Sequence, residues 1–256
     1  MKLTNNTILI TGGTSGFGLE FAKQLIKLGN TVIITGRNEV KLEQTKKLLP
    51  GVHTFQSDVS DPKAIEVLFE KVTQQFPALN MLINNAGEMR KINLHDTSND
   101  VNTITREIEI NLSGPIRMVQ EFLPYLKTKK TAAILNVTSG LALVPFPVSP
   151  VYGATKSGLR SYTKSLRVQL KNTDIKVFEL LPPAASTPLI DKFNMDSKSL
   201  MAADNVIAAA IKGMQKDKLE IYPGMAKILH FLSRLAPRFI FAQLSKPVDV
   251  MLAEKK

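Results

Sequence analysis

Residues 7–28 limit the possible fold more than any other stretch of this chain. Thr7, Ile8, Leu9 and Ile10 form a short apolar, β-branched run. The run is continuous rather than alternating, which is the pattern of a strand covered on both faces of a parallel sheet. Thr11-Gly12-Gly13-Thr14-Ser15-Gly16-Phe17-Gly18 follows, and residues 19–28 then run at helical period until Gly29-Asn30 stops them. Strand, glycine turn and helix in succession open a βαβ unit. Glycines let a pyrophosphate approach the backbone, and the helix N-terminus offers N–H groups and a partial positive charge. An ordinary glycine-rich βα turn has the same outline. The glycines fall as TGxxxGxG rather than GxGxxG, which makes Gly12, Thr14, Ser15, Gly16, Phe17 and Gly18 the candidate phosphate loop.

The strand–helix alternation continues. Residues 31–35 are a second strand, closed by Gly36-Arg37-Asn38. Dinucleotide-binding βαβ units place an acid near this point for the adenine ribose 2′-hydroxyl. Neither residue 36 nor residue 37 is acidic. Arg37 stands there and suits a 2′-phosphate, favouring NADP(H) over NAD(H); otherwise it is a solvated loop arginine. Residues 39–49 read as a helix and 52–57 as a third strand, leading to Asp58-Val59. Asp58 either accepts from an adenine amino group or organises the loop before Asp61-Pro62. That pair opens a helix to Phe76 with an aspartate N-cap and proline at N1. Residues 79–83 form a fourth strand, which delivers Asn84-Asn85-Ala86-Gly87 to the carboxyl edge of the sheet, where open α/β sheets bind ligands.

Residues 88–99 are polar, forming a cleft lip or a surface loop. Residues 101–127 carry one long helical pattern containing Asn111, with Gly114-Pro115 expected to bend it. A fifth strand at 131–137 brings Thr138-Ser139-Gly140 to the same edge. The proline-rich stretch 141–150 either walls a pocket or packs as a rigid loop. Tyr152-Gly153-Ala154-Thr155-Lys156 begins a helix to Leu170. Its tyrosine and lysine, four residues apart, share one helix face. An ammonium beside a phenol lowers its pKa from about 10 and makes a general acid/base of it. A nearby Ser139 hydroxyl can bind a carbonyl oxygen. A YxxxK pair also arises by chance on many helices. A sixth strand at 175–181 leads to Pro182-Pro183-Ala184-Ala185-Ser186-Thr187. Residues 189–200, holding Lys192, Phe193 and Met195, then suggest an apolar lid with a basic edge.

Composition excludes several classes. The 256 residues suffice for one large domain and are 44% hydrophobic. With no cysteine there is no disulfide, thiol catalysis or Cys-built zinc site. Three unclustered histidines (His53, His95, His230) argue against metal chemistry. The net charge of +11 is dispersed in short pairs such as Lys46-Lys47, not the block of a nucleic-acid arm. Residues 1–6 lack a signal-peptide profile, and no stretch reaches the ~18 apolar residues of a membrane span. Cytoplasmic location is therefore the expectation. Residues 225–256 mix apolar residues with Lys227, Arg234, Arg238 and Lys246. A basic amphipathic segment of this kind either packs on the core or a partner or lies on an anionic membrane, and Pro237 should split it.

TGxxxGxG at 11–18, Asp58, NNAG at 84–87, Asn111, Ser139 and YxxxK at 152–156 together resemble, in order and spacing, the short-chain dehydrogenase/reductase family. The likeness covers nearly the whole chain. Within the family the chain is similar to DltE-like bacterial oxidoreductases, the type found beside D-alanine-transfer operons. The resemblance implies one α/β domain, a Rossmann-like three-layer, doubly wound, mostly parallel sheet of seven strands in the order 3-2-1-4-5-6-7. Residues 1–224 would bind cofactor and carry the chemistry, with 225–256 an extension. It implies hydride transfer between NADP(H) and a carbonyl or alcohol substrate. Tyr152 would donate the proton, and Lys156 would lower its pKa and hold the nicotinamide ribose. Ser139 would polarise the carbonyl, and Asn111 would hold a relay water. Gly12, Thr14, Ser15, Gly16, Phe17, Gly18, Arg37, Asp58, Val59, Asn85, Ala86, Gly87, Tyr152, Lys156, Pro182 and Thr187 would contact the cofactor. Thr187 fits the family's PGxxxT, with Pro183 replacing the glycine. A homodimer or homotetramer is implied. The rival readings are a dinucleotide sensor without turnover and a membrane-associated reductase of a lipid-like substrate.

Overall fold

A computed structural model describes residues 1–98, 100–193 and 196–253. The strands are β1 (Thr7–Thr11), β2 (Thr31–Gly36), β3 (Val52–Gln56), β4 (Leu79–Asn84), β5 (Ala132–Val137), β6 (Ile175–Leu180) and β7 (Glu220–Ile221). They form one sheet in the order β3-β2-β1-β4-β5-β6-β7. Every pairing is parallel, with Ile8 beside Val32 on one flank and Met81 on the other. The expectation of a mostly parallel sheet sharpens to a wholly parallel one. The crossovers include α1 (Gly16–Lys27), α2 (Glu39–Leu48) and α3 (Pro62–Gln75).

All five residues of β1 are buried, because helices cover both faces. Ile8 and Ile10 point into a core built with Phe21 and Leu25 of α1. Leu9, between them, points the other way, into a core with Leu68 of α3. This is period-two geometry with both faces apolar. Asp61 caps α3 by accepting from the Lys63 N–H at 2.9 Å, with Pro62 in the first turn.

The long helix expected over 101–127 is interrupted. It runs as two short pieces, α4 (Val101–Ile104) and α5 (Arg106–Ile108), then a π-helical turn over Glu109–Ser113, then α6 (Gly114–Leu126). The break precedes Gly114-Pro115 rather than falling on it. Pro115 lies in the first turn of α6, where a missing N–H costs little. Gly114 serves close packing, since a Cβ there would lie 2.9 Å from the Val59 carbonyl oxygen. The helices that follow are α7 (Pro150–Gln169) and α8 (Ala203–Gln215), each laid on one face of the sheet. The tail folds as α9 (Met225–Leu235), α10 (Pro237–Ser245) and α11 (Pro247–Ala253), and it breaks at Pro237 as expected.

Candidate active site

The carboxyl ends of β1 and β4 are tied together at the sheet's edge. The Thr11 hydroxyl oxygen accepts from the backbone N–H groups of Asn85 (3.0 Å) and Ala86 (3.1 Å). The Asn85 amide donates back to the carbonyls of Thr11 (3.0 Å) and Gly12 (3.1 Å). Gly12 has φ +67°, and a Cβ on it would sit 2.8 Å from the Ala86 Cα. Only glycine meets both demands. Ser15 precedes α1 in extended conformation with no side-chain cap, so the first N–H groups of the helix face the loop. Thr187 packs directly on Gly16.

These loops form one wall of a cavity of about 590 Å³ along the carboxyl edge. Every expected cofactor contact lines it except Gly18. Gly18 instead closes the turn, since a Cβ there would lie 2.2 Å from the Gly12 carbonyl oxygen. Pro182 and Thr187 keep their places despite Pro183. At one end stand Arg37 and Lys41, a cation whose exposed helical position gave no sequence signal. Arg37 reaches Asp58 at 3.9 Å. Asp58 also accepts from the Ser60 N–H (2.9 Å) and hydroxyl (2.7 Å), so it organises its loop while lining the cavity. At the other end stand Tyr152 and Lys156. The glycine loop and the uncapped helix terminus fit the pyrophosphate of a dinucleotide.

Tyr152 is 5% exposed and Lys156 4%. Burial pushes the phenol up to about 12. The Ser139 hydroxyl, a hydrogen-bonding neighbour, pulls it down, and the Glu107 carboxylate adds to the rise. Burial brings Lys156 down to about 8. Lys156 shares the buried helix face with the phenol, as its four-residue spacing implies. Its Nζ is 5.7 Å from the ring centroid and donates to the Val137 carbonyl at 2.9 Å. The Ser139 Oγ accepts from the Leu141 N–H at 3.1 Å, which leaves its own hydrogen to donate. Neither Ser139 nor Asn111 lines the cavity wall itself. Asn111, in the π turn, clamps the loop after β4. Its Oδ1 accepts from the Glu88 N–H and its Nδ2 donates to the Glu88 carbonyl, both at 2.8 Å.

Glu107, four residues before Asn111, escaped the sequence reading. It is fully buried, and its Oε1 accepts from the Arg90 N–H at 2.8 Å. Asn111 and Glu107 thus hold the backbone of Glu88 and Arg90, and the segment between them puts Met89 into the cavity. Residues 141–149 do not line the cavity. The Val148 carbonyl ties this stretch to the loop after β4 by accepting from the Ile92 N–H at 3.0 Å. From the expected lid, Leu189 and Lys192 line the cavity, and Phe193 faces Phe146 with centroids 6.4 Å apart. Met195 lies outside the described residues. Among the described residues no helix is long and apolar enough to cross a membrane, and no group of residues could hold a metal ion.

A wholly parallel doubly wound sheet, a glycine loop fastened to an NNAG turn, and a buried Tyr-Lys helix pair at one cavity define a nicotinamide-dependent oxidoreductase class. The chain belongs to the short-chain dehydrogenase family, whose model matches residues 6–198. It is 42% identical over 225 residues to the uncharacterized oxidoreductase DltE of Bacillus subtilis (strain 168), covering 86% of this chain and 89% of that protein. A short-chain dehydrogenase from Burkholderia cenocepacia J2315 in complex with NADP has the same fold, with a TM-score of 0.83 at 23% identity over 95% of this chain and 99% of the other. A short-chain dehydrogenase/reductase from Burkholderia phymatum in complex with NAD also scores 0.83, at 21% identity over 95% and 96%.

Proposed function

We propose that this enzyme is an NADPH-dependent carbonyl reductase that also runs as an alcohol dehydrogenase in reverse. The observation that carries the reading is one cavity with two chemically distinct ends: Arg37 and Lys41 at the first, Tyr152 and Lys156 at the second. Arg37 and Lys41 hold the 2′-phosphate, and the α1 N-terminus with residues 12–17 holds the pyrophosphate. Thr187 binds the carboxamide, and Lys156 binds the ribose hydroxyls. The chemistry such a dinucleotide supplies when bound is two-electron hydride transfer to the carbonyl carbon. Ser139 donates a hydrogen bond to the carbonyl oxygen and orients it. Tyr152, held neutral by burial, gives its proton to that oxygen as negative charge develops there. Asn111 supports the path by which the tyrosine is reprotonated. Related folds occur with NADP and with NAD, so the cofactor preference rests on the cations at this chain's own β2 edge.

Met89 and Leu189 beside the reacting end, with Phe146 and Phe193 nearby, suit an apolar aldehyde or ketone. A second, apolar groove of about 330 Å³ lies between the π turn and α7, with Ile108, Leu112, Val151 and Ala154 among its residues. We assign it to contact with a second copy, in a dimer or tetramer located in the cytoplasm.

The test is NADPH and NADH oxidation against apolar aldehydes, ketones and quinones, with Arg37→Ala beside wild type. Wild type should prefer NADPH. The variant should lose roughly tenfold or more of its NADPH affinity, the scale of a charge-assisted hydrogen bond, and little of its NADH affinity. Equal losses for both cofactors would refute the phosphate assignment.

A further inference from the structure

Helix α9 presents its apolar stripe outward. Its inward side carries Ala226, which is buried, Leu229, which lies against Gly140, and His230, whose ring stacks on Tyr222 at 4.2 Å. Ile228, Phe231 and Leu235 form a separate stripe at spacings of three and four. They are 49%, 62% and 67% exposed. Phe239 and Phe241 on α10 extend the exposed apolar surface. A helix that packs on a core normally buries this stripe and exposes its charges.

The charges follow the stripe. Lys227 and Arg234 flank it on α9, and Arg238 and Lys246 continue along the tail. No acidic residue occurs between positions 225 and 248. Exposed apolar surface of this extent marks an interaction site. Two copies meeting there about a two-fold axis would set like charges against one another. An anionic lipid surface offers apolar depth for the phenylalanines and leucine, and negative charge for the rim.

We propose that α9 and α10 form a peripheral docking surface for anionic phospholipid membranes, which holds the enzyme at the membrane without spanning it. Among the described residues no tail residue lines the catalytic cavity. The proposal goes beyond the reductase reading and does not depend on it.

The experiment is co-sedimentation of the full chain with vesicles of phosphatidylcholine, with and without phosphatidylglycerol. The chain should bind only the phosphatidylglycerol vesicles, and less as salt is raised. Phe231→Ser with Leu235→Ser should abolish binding while leaving thermal unfolding and NADPH affinity at wild-type values. Should that variant not fold, Lys227→Gln and Arg234→Gln provide the second arm, each lowering binding roughly fivefold. Absence of binding to either vesicle would overturn the proposal, as would undiminished binding by the variants. So would light scattering showing that the wild-type oligomer falls apart in Phe231→Ser/Leu235→Ser, which assigns the face to a second copy.

Discussion

Burial acts on Tyr152 and Lys156 in opposite directions. The phenol rises to about 12 and keeps its proton across the physiological range. The ammonium falls to about 8 and stays charged only below that. A lysine lowered by burial binds its proton fully below its folded pKa and releases it above. The value of kcat/KM, which reports the free enzyme, should therefore be flat below pH 8 and fall above it with an apparent pKa near 8. A profile that rises through pH 8 would contradict the assignment. The residue types and their four-residue spacing were legible in the sequence. The reach of Nζ to the Val137 carbonyl was not, because that depends on where β5 ends relative to α7. Glu107 was also invisible, since a lone glutamate on a helix is ordinarily solvated. Only the π turn and the Arg90 backbone make it a buried anchor.

At the scale of elements, β1 and α1 were read closely because both signals were local: a continuous apolar run, then a helical period stopped at Gly29. The segment 101–127 was misread because a π turn has no comparable signature, while Gly114-Pro115 drew the break to itself. Packing explains one of the two glycines that matter here, and backbone conformation the other. Gly18→Ala would place a methyl 2.2 Å from the Gly12 carbonyl oxygen. It should cost about 1–3 kcal/mol in denaturant unfolding and weaken cofactor binding with it. Gly29→Ala meets nothing within 4 Å but has φ +78°. It should cost about 1–2 kcal/mol for that conformation and leave cofactor affinity unchanged. A loss of cofactor affinity in Gly29→Ala would show that the turn is not the discriminating feature.

Across the whole molecule a buried polar chain joins the site to the tail. The Thr138 hydroxyl donates to Glu179 at 2.8 Å, and Arg160 pairs with Glu179 at 2.9 Å. Arg160 also donates to the Tyr222 hydroxyl at 3.1 Å, and His230 of α9 stacks on that ring. Glu179 is fully buried, and burial raises its carboxyl while Arg160 lowers it. Arg160→Met would leave that charge uncompensated. It should cost about 3–5 kcal/mol, read as a lowered denaturation midpoint; a loss below about 1 kcal/mol would show that the pair is not the anchor. None of this chain was legible from spacing, because the strand order and the packing of α7 on the sheet together bring residues 138, 160, 179 and 222 close. The central claim is that this architecture delivers a neutral Tyr152 to a carbonyl oxygen. Its most direct test is steady-state NADPH-dependent reduction by Tyr152→Phe beside wild type, with NADPH affinity measured on both. Turnover should fall about 10²–10⁴-fold with affinity preserved. Unchanged turnover in the variant would contradict the account.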